Sequence, residues 1–197
     1  MISAVEALQR LRKGNGRFVE GKNDLARSIG EARRAELTEA QTPFAVILAC
    51  SDSRVPVELI FDQGFGELFV IRVAGNVATP SQIGSIEYGI TALGARLVVV
   101  LGHSNCGAVD ATLKELGQQQ KHGSPNLRAI VDCIRPALEP LMGSDISLYD
   151  AVVANVRHSV AQLRHGSEIL EKLTDNREIA IVGAEYSIES GKVEFLD

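Results

Sequence analysis

Hydrophobic residues follow a helical periodicity in some parts of this chain and form short continuous runs in others. Ser3 and Glu6 have the spacing of a capping box, and the apolar periodicity after them predicts a helix to about Glu20. A second helix is expected over residues 31–39. The continuous apolar run over residues 44–50 is typical of a strand that is buried on both faces of a parallel sheet.

Strands and helices continue to alternate along the rest of the chain. Further strands are predicted over 68–73, 96–101 and 179–184, a final hairpin over 186–188 and 193–196, and helices over 56–61, 80–93, 106–116, from 124 onward and over 147–165. This alternation predicts an α/β fold with a central, mostly parallel β-sheet, an antiparallel C-terminal edge strand and flanking helices. We expect a single domain over residues 1–197, in which residues 1–40 form an N-terminal helical arm.

Composition narrows the class of protein. A chain of 197 residues suits one compact domain, and 45% hydrophobic with 23% charged residues is typical of a globular protein. The net charge of -5 does not favour binding to nucleic acid or to an anionic membrane. The N-terminus lacks the apolar core of a signal peptide, and the apolar runs are too short to span a bilayer. We therefore expect a cytoplasmic protein.

The cysteines point to a metal site. An odd number of cysteines in a reducing compartment argues against a disulfide framework. Cys50 ends the first buried strand, and His103 and Cys106 follow the third, so all three should meet at the carboxyl edge of the sheet. Thiolate and imidazole are preferred ligands of zinc, and three protein ligands leave a fourth position open, as in catalytic sites. The alternative is that the cysteines are core residues without function, which is our assignment for Cys133.

Asp52 and Arg54 strengthen the interpretation of a catalytic metal site. Two thiolates and a neutral imidazole cancel the charge of a zinc dication, so such a site acidifies bound water weakly and needs neighbouring groups. Asp52 can accept a hydrogen bond from metal-bound hydroxide, or it can occupy the fourth position as a ligand in a closed state. Arg54 can hold the carboxylate away in a bidentate pair. The two residues therefore form a plausible gate.

Two sequence motifs closely resemble those of the bacterial β-class carbonic anhydrases. They are Cys-Ser-Asp-Ser-Arg at 50–54 and Gly-His-Ser-Asn-Cys-Gly at 102–107, and the resemblance extends through 66–76 and 85–88. It implies one zinc ion per subunit on Cys50, His103 and Cys106, with Asp52 and Arg54 as the gating dyad. It also implies reversible hydration of carbon dioxide to bicarbonate and a proton, through attack of zinc-bound hydroxide.

The resemblance also assigns residues around the substrate. Gln41 matches a position that hydrogen-bonds substrate, and Val55 and Gly107 match positions that line the pocket. Phe69 and Tyr88 match apolar wall positions that lie across a dimer interface in the family. A homodimer or a dimer of dimers is therefore expected, with the N-terminal helices packed on the partner.

One departure from the family pattern concerns a second, inhibitory bicarbonate site of some bacterial members. Ile47 stands where those members carry Trp, although Arg72 and Tyr186 match the other two residues of that site, so we expect no such site here. Histidines without ligand spacing are predicted at the surface; they are His122, His158 and His165.

Three alternative functions remain open at this stage. The same site could hydrolyse carbonyl sulfide or carbon disulfide, because pocket shape decides the substrate. The protein could instead be a structural or sensory zinc module, which would need a closed metal site. Such a site has no use for a carboxylate that Arg54 can hold away from the metal, so Asp52 argues against this alternative. A redox dithiol of Cys50 and Cys106 is disfavoured because the chain has no Cys-x-x-Cys motif.

Overall fold

The computed structural model describes residues 2–24, 30–118, 124–143 and 145–196. Within these residues one sheet has the strand order β2-β1-β3-β4-β5. Its strands are β1 (Ala45–Ala49), β2 (Leu68–Arg72), β3 (Leu97–His103), β4 (Ala180–Tyr186) and β5 (Val193–Leu196). Pairing is parallel except between β4 and β5, which are antiparallel. The predicted α/β fold with an antiparallel C-terminal edge strand is confirmed.

Helices cover both faces of the sheet. They are α1 (Ala4–Val19), α2 (Glu31–Glu36), α3 (Val57–Ile60), α4 (Pro80–Thr91), α5 (Gly107–Gln118), α6 (Pro125–Leu138), α7 (Leu148–His165) and α8 (Glu168–Asp175), with short 3-10 turns at Ala74–Asn76 and Glu139–Leu141. Helices α1 and α3 pack on one face, where Leu11 and Ile60 are buried against β1 and β3. Helices α4, α7 and α8 cover the other face. Strands β1 and β3 are buried along their whole length, which explains their uninterrupted apolar runs.

A third apolar cluster lies beyond the carboxyl edge of the sheet. It joins α5, α6 and the first turns of α7, with Ile134 and Leu138 buried among them. Cys50 and Cys106 belong to this cluster, so the predicted metal ligands lie where three helices meet the sheet edge.

Local sequence signals explain where the longest helices begin. Ser3 and Glu6 form the predicted capping box of α1, and Ser147 and Asp150 form a second one at the start of α7. In each box the serine hydroxyl and the acidic side chain satisfy backbone N–H groups that have no partner within the helix. None of the helices in the described ranges combines the length and hydropathy needed to cross a bilayer.

Some predicted elements differ from the structure. Residues 186–188 were expected to form a separate strand, but β4 continues to Tyr186 because β3 continues to His103 and pairs with it. Helix α2 ends at Glu36 rather than at residue 39, and α8 was not predicted. The chain forms α8 because Ser167 caps it and Leu170 is buried against the sheet.

The remaining histidine and cysteine predictions have mixed outcomes. His165 is exposed, as expected, whereas His122 lies outside the described residues. His158 is partly exposed, but its Nε2 atom is buried, and burial lowers the pKa of the ring. Cys133 is partly buried and packs against the cluster beyond the sheet edge.

Candidate metal centre

Cys50, His103 and Cys106 converge at the carboxyl edge of the sheet. Cys50 directly follows β1, His103 is the last residue of the adjacent strand β3, and Cys106 lies in the turn before α5. One ligand atom from each residue lies within 4.8 Å of the others, and all three residues are buried. The parallel pairing of β1 with β3 brings these strand ends side by side.

The His103 ring is oriented as a metal ligand would be. Its Nδ1 atom lies 2.9 Å from the carbonyl oxygen of Ser104, which makes Nδ1 the protonated nitrogen that donates to that carbonyl. The other nitrogen, Nε2, is buried and has no hydrogen-bond partner among the described residues. Nε2 therefore has a free lone pair in a buried place beside two thiols. One imidazole nitrogen and two sulfurs form a ligand set that suits zinc.

The two thiols are hydrogen-bonded to each other. This hydrogen bond is the main reason why the pKa of Cys50 is lowered. The same hydrogen bond, followed by burial, raises the pKa of Cys106, so the pair favours one proton shared between the two sulfurs. Burial lowers the pKa of His103, but contact with the Cys50 thiolate and the Ser104 carbonyl raises it overall. A metal cation that displaced this shared proton would neutralise the negative charge of the two thiolates.

Asp52 and Arg54 form the bidentate pair expected from their spacing. The Nε and Nη2 atoms of Arg54 donate to the two carboxylate oxygens of Asp52 at 2.9 and 2.8 Å. This pairing holds the pKa of the Asp52 carboxyl well below its usual range. Oδ2 of Asp52 also lies 3.9 Å from Nε2 of His103, so the carboxylate stands beside the cluster. The structure therefore describes the paired arrangement of the dyad.

Arg72 braces the segment between the first ligand and Asp52. Its Nε donates to the carbonyl of Cys50 at 3.1 Å, and its Nη2 donates to the carbonyl of Asp52 at 2.6 Å. Sequence analysis named Arg72 only as a match to a different site and missed this contact. The missing signal is geometric, because β2 pairs with β1 in the register that places Arg72 beside Ala49.

Two predicted pocket residues lie beside the cluster. Val55 is buried directly after Arg54, and Gly107 is exposed at the first position of α5, next to Cys106. Gly107 also borders an apolar groove of about 340 Å³ between α5 and α6. Small and aliphatic side chains line this groove; they include Ala74, Ala108, Leu127, Ile130 and Val131.

The other three predicted substrate residues lie away from the cluster of their own chain. Gln41 is exposed and precedes β1, whereas the metal ligands follow the opposite end of that strand. Phe69 pairs with Val46, which precedes the ligand Cys50 by four residues, or roughly 13 Å along the strand. The ring of Tyr88 lies 6.0 Å from that of Phe69, and Tyr88 is 52% exposed.

Comparisons with known proteins agree on one family. The family model described as carbonic anhydrase matches residues 45–193. A carbonic anhydrase of Mycolicibacterium smegmatis is 43% identical over 191 residues, which cover 96% of this chain and 92% of the relative. Carbonic anhydrase 2 of Mycobacterium tuberculosis is 38% identical over 196 residues, which cover 98% of this chain and 93% of the relative.

Solved structures give the same result. The β-carbonic anhydrase CcaA superposes with a TM-score of 0.74 at 29% identity, over 96% of this chain and 95% of the other. The β-carbonic anhydrase CafA of Aspergillus fumigatus gives a TM-score of 0.73 at 28% identity, over 83% and 80% of the two chains.

Proposed function

Because the chain belongs to the carbonic anhydrase family, we propose that it catalyses the reversible hydration of carbon dioxide to bicarbonate and a proton at the Cys50, His103 and Cys106 cluster. The observation that carries this proposal is the buried Nε2 of His103, which has no hydrogen-bond partner in the described part of the chain and lies beside two thiols and the Asp52–Arg54 pair. A purely structural metal site would have no use for a carboxylate held at that distance.

The three ligands would hold one zinc ion per subunit. Two thiolates and a neutral imidazole balance its charge, and three protein ligands leave a position for exchange. When bound, zinc would supply Lewis-acid activation of water. The protein residues fix the ligand geometry: the Ser104 carbonyl orients His103, and Arg72 holds the backbone at Cys50.

In this proposal, Asp52 is the acceptor that orients the attacking water. Its carboxylate remains ionised because Arg54 donates to both of its oxygens. The ionised Oδ2 can accept a hydrogen bond from an O–H of the water. This bond would orient the water so that a lone pair of its oxygen faces the substrate carbon. If Arg54 releases it, the same carboxylate can occupy the exchangeable position. The dyad would then switch the site between an open and a closed state.

The surroundings of the cluster suit a small apolar substrate. Val55 and Gly107 would form the pocket wall nearest the metal, and the apolar groove beside Gly107 opens toward solvent. Carbon dioxide carries no charge, so its contact with an apolar wall does not bury a charged group without a partner. The amide of Gln41 would donate to a substrate oxygen.

Residues of a second copy would complete each site. Gln41, Phe69 and Tyr88 lie toward the amino-terminal end of β1, whereas the ligands lie at its carboxyl end, so these residues would serve the site of a partner. We propose a homodimer, or a dimer of dimers, in which residues 1–40 form a helical arm of one domain spanning 1–197. The proposed location is cytoplasmic.

Stopped-flow measurement of carbon dioxide hydration by the zinc-loaded protein above pH 8 tests this function. We expect hydration well above the buffer rate, and loss of both zinc and activity in a Cys50→Ser variant. A protein that binds zinc without hydrating carbon dioxide contradicts the proposal. Carbonyl sulfide and carbon disulfide, offered to the same preparation, distinguish the two alternative substrates.

A further inference from the structure

The sulfur of Cys50 accepts a hydrogen bond from outside the ligand set. The backbone N–H of Gly75 donates to Sγ of Cys50 over 3.4 Å, in a buried environment. Gly75 belongs to the short 3-10 turn at 74–76, which follows β2 and packs against the cluster. A hydrogen bond to a thiolate stabilises its negative charge, so the direction of this N–H influences how the sulfur binds a metal.

The backbone of the turn restrains Gly75 only in part, through a hydrogen bond from the N–H of Asn76 to the carbonyl of Val73 at 3.0 Å. Gly75 has a φ of 70°, in the left-handed region, and a Cβ there would lie 2.7 Å from Cδ1 of Ile134. Glycine is therefore required, yet glycine is also the residue whose φ and ψ are least restricted. Contacts from elsewhere in the fold add to the restraint of this turn.

Helix α7 supplies those contacts from two positions one turn apart. Nδ2 of Asn155 donates to the carbonyl of Gly75 at 2.8 Å, and the hydroxyl of Ser159 donates to the carbonyl of Asn76 at 3.1 Å. Asn155 and Ser159 are each 1% exposed. These two bonds hold the peptide planes on both sides of Asn76, so they restrain ψ of Gly75 and anchor the turn that presents the Gly75 N–H to Cys50.

The burial of Asn155 is costly for the fold and therefore needs an explanation. Its neighbours on the buried face of α7 are aliphatic; they include Val152, Val156 and Val160. Its Oδ1 atom is buried and has no hydrogen-bond partner within the described ranges. An amide that leaves one polar atom unpaired in such a core destabilises the protein unless its other bond serves a purpose.

We propose that Asn155 and Ser159 are positioning residues that hold the 74–76 turn and so keep the Gly75 N–H directed at the Cys50 sulfur. Through this bond they set the affinity of the cluster for its metal. The inference rests on the proposed zinc site, but it concerns helix α7 rather than the ligands themselves.

Zinc affinity and the spectrum of the cobalt-substituted protein test the inference without relying on activity. Asn155→Leu should weaken zinc binding on the order of 10-fold in competition with a chromophoric chelator, as loss of a ligand's supporting hydrogen bonds does elsewhere. Ser159→Ala should weaken it in the same direction by less. In both variants we expect the thiolate-to-cobalt charge-transfer band to shift, because the Cys50 sulfur loses a stabilising N–H.

Val160→Ala is the matched control. Val160 lies on the same helix and in the core, but its aliphatic side chain packs on the sheet at Gly183 and has no group that could hydrogen-bond to the turn. The substitution should therefore lower thermal stability while leaving zinc affinity and the cobalt spectrum unchanged. If Asn155→Leu does not fold, Ser159→Ala decides the question. Wild-type affinity and spectrum in the folded variants would overturn the inference.

The outcomes also separate this inference from the proposed function. A wild-type protein that binds no zinc overturns both. A wild-type protein that binds zinc but does not hydrate carbon dioxide overturns the activity alone, because affinity and spectrum are still measured. Tight zinc binding by active wild-type and variant proteins alike overturns the positioning role alone.

Discussion

Asp52 touches Arg54 through both carboxylate oxygens and lies 3.9 Å from Nε2 of His103, yet it is not one of the three ligands. Asp52→Asn should therefore reduce carbon dioxide hydration roughly 100-fold, because the amide is a poorer acceptor and loses the ion pair. Zinc content should stay near one ion per chain. Stopped-flow rates and zinc analysis of the same preparation check this expectation. An active variant, or one without zinc, would contradict the role given to Asp52.

Glu185 offers a test of stability against pH. It is 4% exposed, and burial followed by the nearby Glu194 raises the pKa of its carboxyl, although His103 opposes this. Because the pKa of Glu185 is raised in the folded state, the ionised carboxylate destabilises the fold. This destabilisation is complete at a pH above the folded-state pKa, and it is absent at a pH below the ordinary pKa of glutamate. Glu185→Gln should thus raise Tm at pH 8 by about 2–4 °C, the shift that ~1 kcal/mol produces.

The gain from Glu185→Gln should shrink as the pH falls through the acidic range. Glu194→Gln is the control. Glu194 is exposed on β5, so this substitution removes the repulsion between the two carboxylates but leaves the buried charge of Glu185 in place. The gain in Tm should therefore be smaller. Thermal melts at several pH values measure both differences. A gain for Glu185→Gln that does not depend on pH would show that the carboxyl does not titrate as inferred.

At the residue scale, sequence patterns reveal side chains but not backbone donors. Cys50, His103 and Cys106 could be predicted because each lies at or just beyond the end of a strand that an apolar run marks. The N–H of Gly75 and the contacts of Arg72 with backbone carbonyls could not, since they depend on strand register and on a left-handed turn. Neither kind of contact requires particular residue types at a fixed spacing in the sequence, so no motif reveals it.

At the element scale, α7 approaches β3 at Gly102, next to the ligand His103. A Cβ at Gly102 would lie 2.5 Å from Cγ2 of Val156 and 3.1 Å from Cγ1 of Val152. Gly102→Ala should therefore cost about 1–3 kcal/mol of unfolding free energy, as overpacking does in other cores. It should also weaken zinc binding, because α7 and the strand end must move apart.

Gly84→Ala is the matched control for Gly102→Ala. Gly84 lies on the exposed face of α4, where an added Cβ would meet nothing within 4 Å. Alanine favours the helix there, so stability should rise by up to about 1 kcal/mol with zinc affinity unchanged. Denaturant melts and zinc titration compare the two variants. Equal stability of the Gly102 variant and wild type would contradict the close packing of α7 on β3.

Element boundaries follow from the sequence where a local signal sets them. The capping boxes at Ser3 and Ser147 predict the starts of α1 and α7 because the interacting side chains are three residues apart. The end of β4 has no such signal, since Tyr186 is a strand residue only through its pairing with His103. Helix α8 is eight residues long and gains its stability from burial of Leu170, which makes it hard to predict.

At the scale of the whole molecule, the sequence predicts the sheet and its carboxyl-edge site better than it predicts assembly. Parallel strands with buried apolar runs allow only a few arrangements, and all of them bring the ligands to one edge. Gln41 precedes β1 and Phe69 lies near the start of β2, so parallel pairing places both toward the opposite edge, and the strand pattern does not predict which partner chain would bring them to the ligands. The fold bears out their distance from the ligands of their own chain.

This distance makes the dimer testable. Tyr88 is 52% exposed and rests against Phe69, so Tyr88→Asp should cost the isolated chain little stability, yet it would place a charge in an apolar interface. We expect light scattering to give at least twice the chain mass of 21.2 kDa for wild type, and a shift toward that mass with loss of activity for the variant. Ile169→Asp, exposed on α8, should leave the assembly intact. A fully active monomeric wild type would show that one chain completes its own site.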